Sequence, residues 1–324
     1  NDALSLLVPY TDPAYYDRRP TLAIPADQVI DIGTDSTGHP LGLHPELTGF
    51  KTMFDDGALA LLQRTGYPDS SRSHFRGTDV FSTADPDRPQ GRGWLGHYLD
   101  TLPGPVDALT AWNTQQQLPR SLLANLVGVP SIPNLSTYAF SSPNSAFSLE
   151  EAAHSRMTAK RIVALGATSA RNTHVAFVNS TVQAAFDTLD RVGVVAAHVP
   201  TTEYPQTALG GALRAVGSAV ASGSGTKLYW VQTGGYDTHA QQDTLTGNYA
   251  RLMRTLNGGV SAFYADLKNQ RLLEQTVVLV FSEFGRRVSE NGSNGTDHGS
   301  GGLMFVFGGR VRGGIYGRTA SLEQ

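Results

Sequence analysis

The chain has 324 residues, 40% of them apolar and 16% charged, with a formal charge of −3. That length allows a sizeable core, as one large domain or two smaller ones. Nothing in the slightly acidic balance suggests a grip on nucleic acid, which needs a basic face. No apolar stretch reaches the ~20 residues of a membrane span. With no cysteine, any metal must be held by Asp, Glu, His or other oxygen groups.

In chain order, 1–45 reads as irregular and rich in Pro, Asp and Tyr. The start at Asn1, without Met, reads as the interior of a longer chain whose upstream part carried any targeting signal. A short helix is expected over 45–54, with Pro45 in an early turn. The apolar run 58–63 reads as a buried strand. After the turn Gly66-Tyr67-Pro68-Asp69, the segment Ser70-Ser71-Arg72-Ser73-His74-Phe75 offers several N-caps for a helix to about residue 84. A helix over 93–102 and a strand over 106–112 follow.

Residues 113–148, rich in Pro, Ser and Asn without a period, read as a loop-rich insertion facing the substrate. Helices are expected over 149–165, 173–196 and 209–221, then a strand over 227–233. The helix over 248–270 places Tyr249, Leu252, Leu256, Val260, Phe263 and Leu267 at near-helical spacing. A strand over 276–281, a polar stretch over 287–302 and a strand over 303–307 complete the pattern. Trp94, Trp112 and Trp230 read as core. Strand–helix alternation implies one α/β domain over 1–324, a central mostly parallel sheet flanked by helices.

Three segment ends in the last third carry chemistry. The strand at 227–233 runs into Gly234-Gly235-Tyr236-Asp237-Thr238-His239, where the glycines allow a tight bend that turns Asp237 and His239 into one pocket. The alternative is a helix N-cap with His239 exposed. The strand at 276–281 runs into Ser282-Glu283-Phe284-Gly285-Arg286, where Glu283 is a ligand, a base, or the partner of Arg286 or Arg287. Asp297-His298-Gly299 precedes the last strand. Ligands of open α/β sheets sit beyond the carboxyl ends of strands, and carboxylates with imidazoles there suit a metal-assisted hydrolase. At the start of the helix after residue 70, the hydroxyls of Ser70, Ser71 and Ser73 either cap the helix or serve a nucleophile and anion site. His74 points into the same site or packs. Asp2 precedes an apolar run and could end a strand.

These segments, together with Asn1-Asp2-Ala3-Leu4 and Val8-Pro9-Tyr10, resemble the DUF1501 family, placed in the alkaline phosphatase/sulfatase-like superfamily. The resemblance implies an alkaline phosphatase-like α/β domain lacking its first strand and its C-terminal end. It implies one or two divalent cations beside a Ser, Thr or modified Cys nucleophile. By it, Asp2 is the carboxylate ending the first strand and Ser73, with Ser71 second, the nucleophile. Asp237 and His239 serve one metal, and Glu283, Asp297 and His298 complete the pair of sites. Two departures stand out: Glu283-Phe284 replaces an expected Asp-His, and Gln241 replaces a His four residues after Asp237. An oxygen-rich site of that kind favours Mg²⁺, Mn²⁺ or Ca²⁺ over Zn²⁺.

The expected activity is hydrolysis of phosphate or sulfate esters of a small molecule or glycan, with Arg72 stabilising developing charge and His74, His239 or His298 protonating the leaving group. The alternatives are a non-catalytic exported protein that keeps the fold to bind a glycan or assembly partner, and a phosphoryl transferase or mutase. Twin-arginine (Tat) export of family members implies a periplasmic or secreted location. Composition leaves the oligomeric state open.

Overall fold

The computed structural model describes residues 2–104, 106–142, 148–169 and 173–322. Asn1, Gln324 and residues 143–147 of the expected insertion lie outside the described residues. The chain divides into two compact units. The first comprises 1–94, 200–214 and 232–324, the second 95–199 and 215–231.

The first unit opens with short elements where the sequence reads as irregular: α1 (Ala3–Leu6), β1 (Leu7–Val8), α2 (Pro13–Arg18), β2 (Ile30–Thr34) and β3 (Pro40–Leu43). Strands β1, β3 and β2 form a small antiparallel sheet in that order. Elements this short give too few residues for a period to show. Val8, Tyr15, Ile24 and Leu322 form the core beside them.

The larger sheet joins β4 (Leu59–Thr65), β7 (Val277–Val280), β8 (Gly302–Gly308) and β9 (Gly314–Tyr316) in the order β7-β8-β4-β9. Its two faces are covered by different helices, as alternation along β8 requires. Leu303, Phe305 and Phe307 are buried. They face α3 (Thr48–Asp55) and α9 (Asn248–Asn269), with the Phe50 ring 5.0 Å from Phe305 and Tyr264 6.4 Å from Phe307. The opposite face carries α4 (His74–Thr83), whose Phe81 stacks on Phe281 at 5.8 Å. This face is left partly bare on β7, where Val277 is 65% and Leu279 42% exposed.

A central, mostly parallel sheet is therefore not what forms. Among the described residues there are three small sheets, and only β4–β9 and β5–β6 pair in parallel. Two features explain the difference. The helices expected to act as crossovers, α4 and α9, link strands of different sheets. Moreover, the polar segment between β7 and β8 doubles back without a helix, which returns β8 antiparallel to its neighbours.

In the second unit, β5 (Ala111–Asn113) and β6 (Leu228–Trp230) pair in parallel, Trp112 opposite Tyr229. Beside them lie α5 (Trp94–Asp100), α6 (Leu149–Ser169), α7 (Thr173–Ala196) and the last turns of α8 (Ala208–Ala221). Trp112 anchors a core with Leu109, Ile132, Val192, Val195 and Ala219. The Asn113 amide bonds the Gln115 and Gln117 carbonyls and the Ser131 hydroxyl, so part of the expected loop is ordered by one side chain. Trp94, read as core, is 39% exposed instead. No helix among the described residues is long and apolar enough to cross a membrane.

Candidate metal centre

Four segments of the first unit deliver the site. His74 is the first residue of α4. Asp237 and His239 lie between β6 and α9, where Gly235 at φ +93° makes the bend the sequence implied. Glu283 and Arg286 follow β7, and Asp297 and His298 precede β8. The last two segments are clamped by an antiparallel bridge between Arg286 and His298. A side chain at Gly299 would begin 2.4 Å from the Arg286 carbonyl, so only glycine permits the clamp.

Asp237 is the point of convergence. Its Oδ1 lies 2.9 Å from His298 Nε2 and 3.0 Å from His239 Nε2, and it accepts a hydrogen bond from Arg286 Nη2. Its Oδ2 lies 3.3 Å from His74 Nε2. His74, Asp237 and His298 each offer one ligand atom within 4.8 Å of the others, a spacing that could hold a metal ion. Phe284 packs against the His74 and His298 rings, with centroids 4.9 and 4.6 Å away.

The outer nitrogens make the reading sharper. His74 Nδ1 is 2.6 Å from Glu283 Oε1, His298 Nδ1 is 2.7 Å from the Arg72 carbonyl, and His239 Nδ1 is 3.4 Å from Asp297 Oδ1. Each Nδ1 thus faces an acceptor, the arrangement that holds an imidazole with its proton on Nδ1 and its lone pair on Nε2. All three Nε2 atoms then face the Asp237 carboxylate, which can only accept. His239 Nε2 and His298 Nε2 also stand 2.9 Å apart. Lone pairs against a carboxylate repel unless a cation or added protons lie between them, and head-on N–H groups at that separation collide. A single cation held by His74, Asp237 and His298 would relieve this, while His239 Nε2 also lies 3.4 Å from the Arg286 Nη1 donor. The carboxylates Glu283, Asp237 and Asp297 outnumber the Arg286 and Arg287 guanidinium groups that act on them, an excess of negative charge that favours a cation.

The carboxylates are strongly acidic here. Burial pushes the Asp237 carboxyl up, but its close contact with His298 and the hydrogen bond and charge of Arg286 outweigh it and hold it well below the usual carboxylate range. Burial likewise raises Glu283, and its bonds to His74 and Ser282 bring it below its ordinary value. Asn291 and His239 lower Asp297 by hydrogen bonding.

Asp2, expected among the ligands, is placed elsewhere. It is fully buried at the N-cap of α1 and its oxygens are saturated by Arg19 at 2.6 and 2.9 Å, Ser5 at 2.6 Å and Gln242 at 2.7 Å. A carboxylate so occupied has no lone pair facing an open site. It acts beneath the centre instead. Gln242 passes the contact on by accepting from Thr238 and Thr296, which adjoin Asp237, His239 and Asp297 in the chain. Arg19 also donates to the Arg287 and Val288 carbonyls.

His74, read as part of the catalytic start of α4, joins the candidate ligands. Ser73 caps α4 with its hydroxyl exposed and making no cap bond, while its N–H donates to Ser71 Oγ at 3.2 Å. The Arg72 side chain is exposed, and it is the Arg72 carbonyl that touches His298. Gln241, where the resemblance expects an imidazole, sits at φ +46° with its N–H on the Ser293 carbonyl.

Two residues have partners that the sequence did not indicate. Arg286, expected opposite Glu283, pairs with Asp237; its guanidinium is 1% exposed and also donates to the Thr296 and Tyr236 carbonyls. Asn291 bonds the His239 carbonyl and Asp297, although in the sequence Asn291-Gly-Ser matches only the common glycosylation pattern and a turn-forming Asn-Gly.

A family model described as a protein of unknown function (DUF1501) matches residues 58–324, the greater part of the chain, and the chain belongs to that family. No curated protein and no solved structure matches it.

Proposed function

We propose that this member of the DUF1501 family is a metal-dependent hydrolase of phosphate or sulfate esters, related to the alkaline phosphatase/sulfatase-like enzymes and working outside the cytoplasm. The observation that carries the reading is the convergence of three imidazole Nε2 atoms on Asp237, each backed at Nδ1 by an acceptor. An acceptor at the outer nitrogen is what metal-bound imidazoles commonly have, and it fixes the ring and its tautomer.

His74, Asp237 and His298 would hold the ion, with His239 beside them. Two nitrogens and one oxygen suit Zn²⁺ or Mn²⁺ better than Ca²⁺, a shift from the oxygen-rich set implied before His74 joined it. When bound, the ion supplies Lewis-acid polarisation of an ester oxygen. The chain's own groups do the rest. Glu283 and the Arg72 carbonyl fix two imidazole rings. Arg286 holds Asp237 in place and adds a fixed positive charge toward an anionic ester. Ser73, exposed beside His74 at the start of α4, or a water molecule would supply the attacking oxygen, its proton passing to His239 Nε2 and on to the departing alcohol; if Ser73 attacks, a water molecule would then cleave the seryl ester and restore the hydroxyl. The products are the alcohol and free phosphate or sulfate.

The test is the metal content of the full chain after equilibration with Zn²⁺, Mn²⁺ and Mg²⁺, with an Asp237→Ala/His298→Ala double variant and turnover of aryl phosphates and sulfates measured alongside. One bound ion per chain that vanishes in the variant, with turnover lost in parallel, is expected. A well-folded wild type that takes up no ion would sink the hydrolase reading in favour of a non-catalytic binding protein.

A further inference from the structure

Beside the candidate centre lies a second, chemically opposite feature. A cavity of about 280 Å³ opens on the bare sheet face next to α4, its wall formed by Tyr67, Phe81, Trp94, Leu279, Phe281 and Met304 among others. The lining is almost wholly apolar. Strand parity produces it: Leu279 pairs with Val306, and Met304 with Leu62, on the face that α3 and α9 do not cover. The aromatic wall is preformed, with Phe81 stacked on Phe281 and Tyr67 edge-on to Phe81 at 6.2 Å.

Helix α4 and the segment after β7 contribute to both the cavity and the centre. Tyr67 lines the cavity with its ring, and its hydroxyl accepts from the Ser71 N–H at 3.2 Å, in the segment that leads to Ser73. Helix α4 carries His74 at its start and Val80 and Phe81 on the cavity, a span of about 10 Å along a helix. Phe281 lies two residues before Glu283, which holds His74. Polar ligand groups at one end and an apolar slot at the other, on shared elements, form the usual plan of a small-molecule site. A larger cavity of about 490 Å³, lined by Thr202, Tyr204, Gly258 and Ser261, contains no residue of the centre and shares no segment with it.

We infer that the cavity receives the apolar alcohol half of the ester, so that the substrate is a phosphate or sulfate ester of an aryl or medium-chain alkyl alcohol. This rests on the hydrolase reading for the ester, while the cavity's own ligand does not. An apolar cavity of about 150 Å³ takes benzene, so one roughly twice that size fits two fused rings. Leu279 and Trp94, 42% and 39% exposed, stand at its mouth and admit the group from solvent.

The experiment uses 2-naphthol as a neutral probe of the slot, followed by calorimetric titration of the full chain and of Leu279→Gln, Trp94→Ala and Asp237→Ala variants. Both mouth residues are partly exposed, so their replacement leaves the fold intact, and circular dichroism checks this. Naphthol binding that weakens at least tenfold in Leu279→Gln and Trp94→Ala but persists in Asp237→Ala is expected. In parallel, the preference for naphthyl over methyl phosphate, as a ratio of kcat/KM values, falls at least tenfold in Leu279→Gln. Absence of naphthol binding in wild type, or binding indifferent to both mouth variants, overturns the proposal even where metal and turnover are present. Naphthol binding in a chain that holds no metal and turns over no ester removes the hydrolase reading and leaves the apolar slot standing.

Discussion

Asp2 with Arg19 and Asp237 with Arg286 are the same chemical pair in two settings. In the first, both side chains are excluded from water, at 1% and 0% exposure, and every carboxylate oxygen is engaged by the protein. In the second, the guanidinium is equally buried but the carboxylate is 48% exposed and surrounded by imidazoles whose inner nitrogens point at it. What separates a lock from a site is access, together with lone pairs left facing open space. The Asp2 pair is complete without a ligand. The Asp237 group keeps a half-exposed carboxylate and ligand atoms of His74, Asp237 and His298 within 4.8 Å of one another.

The sharpest break comes from removing one half of the lock. Asp2→Ala strands the buried Arg19 cation and should cost about 3–5 kcal/mol in denaturant unfolding, the penalty of an uncompensated buried charge. Its pH signature identifies it. Burial raises the Asp2 carboxyl, but the Arg19 charge and the bonds from Arg19, Ser5 and Gln242 prevail and bring it from 3.8 to about 2. A depressed folded-state value means that this stabilisation is complete above about pH 4 and fades as pH falls through about 2. An Asp2→Asn variant should lose that part of the acid slope. An unchanged slope would remove Asp2 from the account.

A smaller effect is expected behind His74. Glu283→Gln keeps the shape but loses the charge that polarises the ring, and metal affinity should drop about tenfold or more, with unfolding in the metal-free state nearly unaffected. Competition with a chelator measures it, and equal affinities would place Glu283 outside the ligand shell. The smallest effect belongs to Arg72→Ala. Its carbonyl, not its side chain, touches His298, so metal content should hold and stability change by less than about 0.5 kcal/mol. A lost metal would show that the guanidinium takes part after all.

Long periodic segments were legible in the sequence. The helix over 248–270 forms as α9 with its apolar stripe buried, and the helix from residue 74 forms within a residue of expectation. Strand pairing was not legible, since parallel or antiparallel return depends on where a connection turns, and a polar loop does not declare its direction. The gathering of Asp237, His239, Glu283, Asp297, His298 and His74 could be anticipated because Asp, His and Glu at segment ends are conspicuous. Asp2 misled because a carboxylate before an apolar run looks the same whether it meets a metal or an arginine. Arg286 and Asn291 were missed as members for the opposite reason, because their partners are fixed by loop geometry and not by spacing.

The single amide of Gln242 has a consequence for how the molecule comes into being. Its contact with Asp2 joins residues 240 positions apart, and its contacts with Thr238 and Thr296 tie that junction to both site loops. Closing so long a span is entropically costly and tends to happen late in folding. The loops bearing Asp237 and His298 therefore take their shape only after distant parts of the chain have met. The grouping of His74, Asp237 and His298 is thus a product of finished folding: a chain interrupted midway offers scattered imidazoles, and only a completed one brings their ligand atoms together.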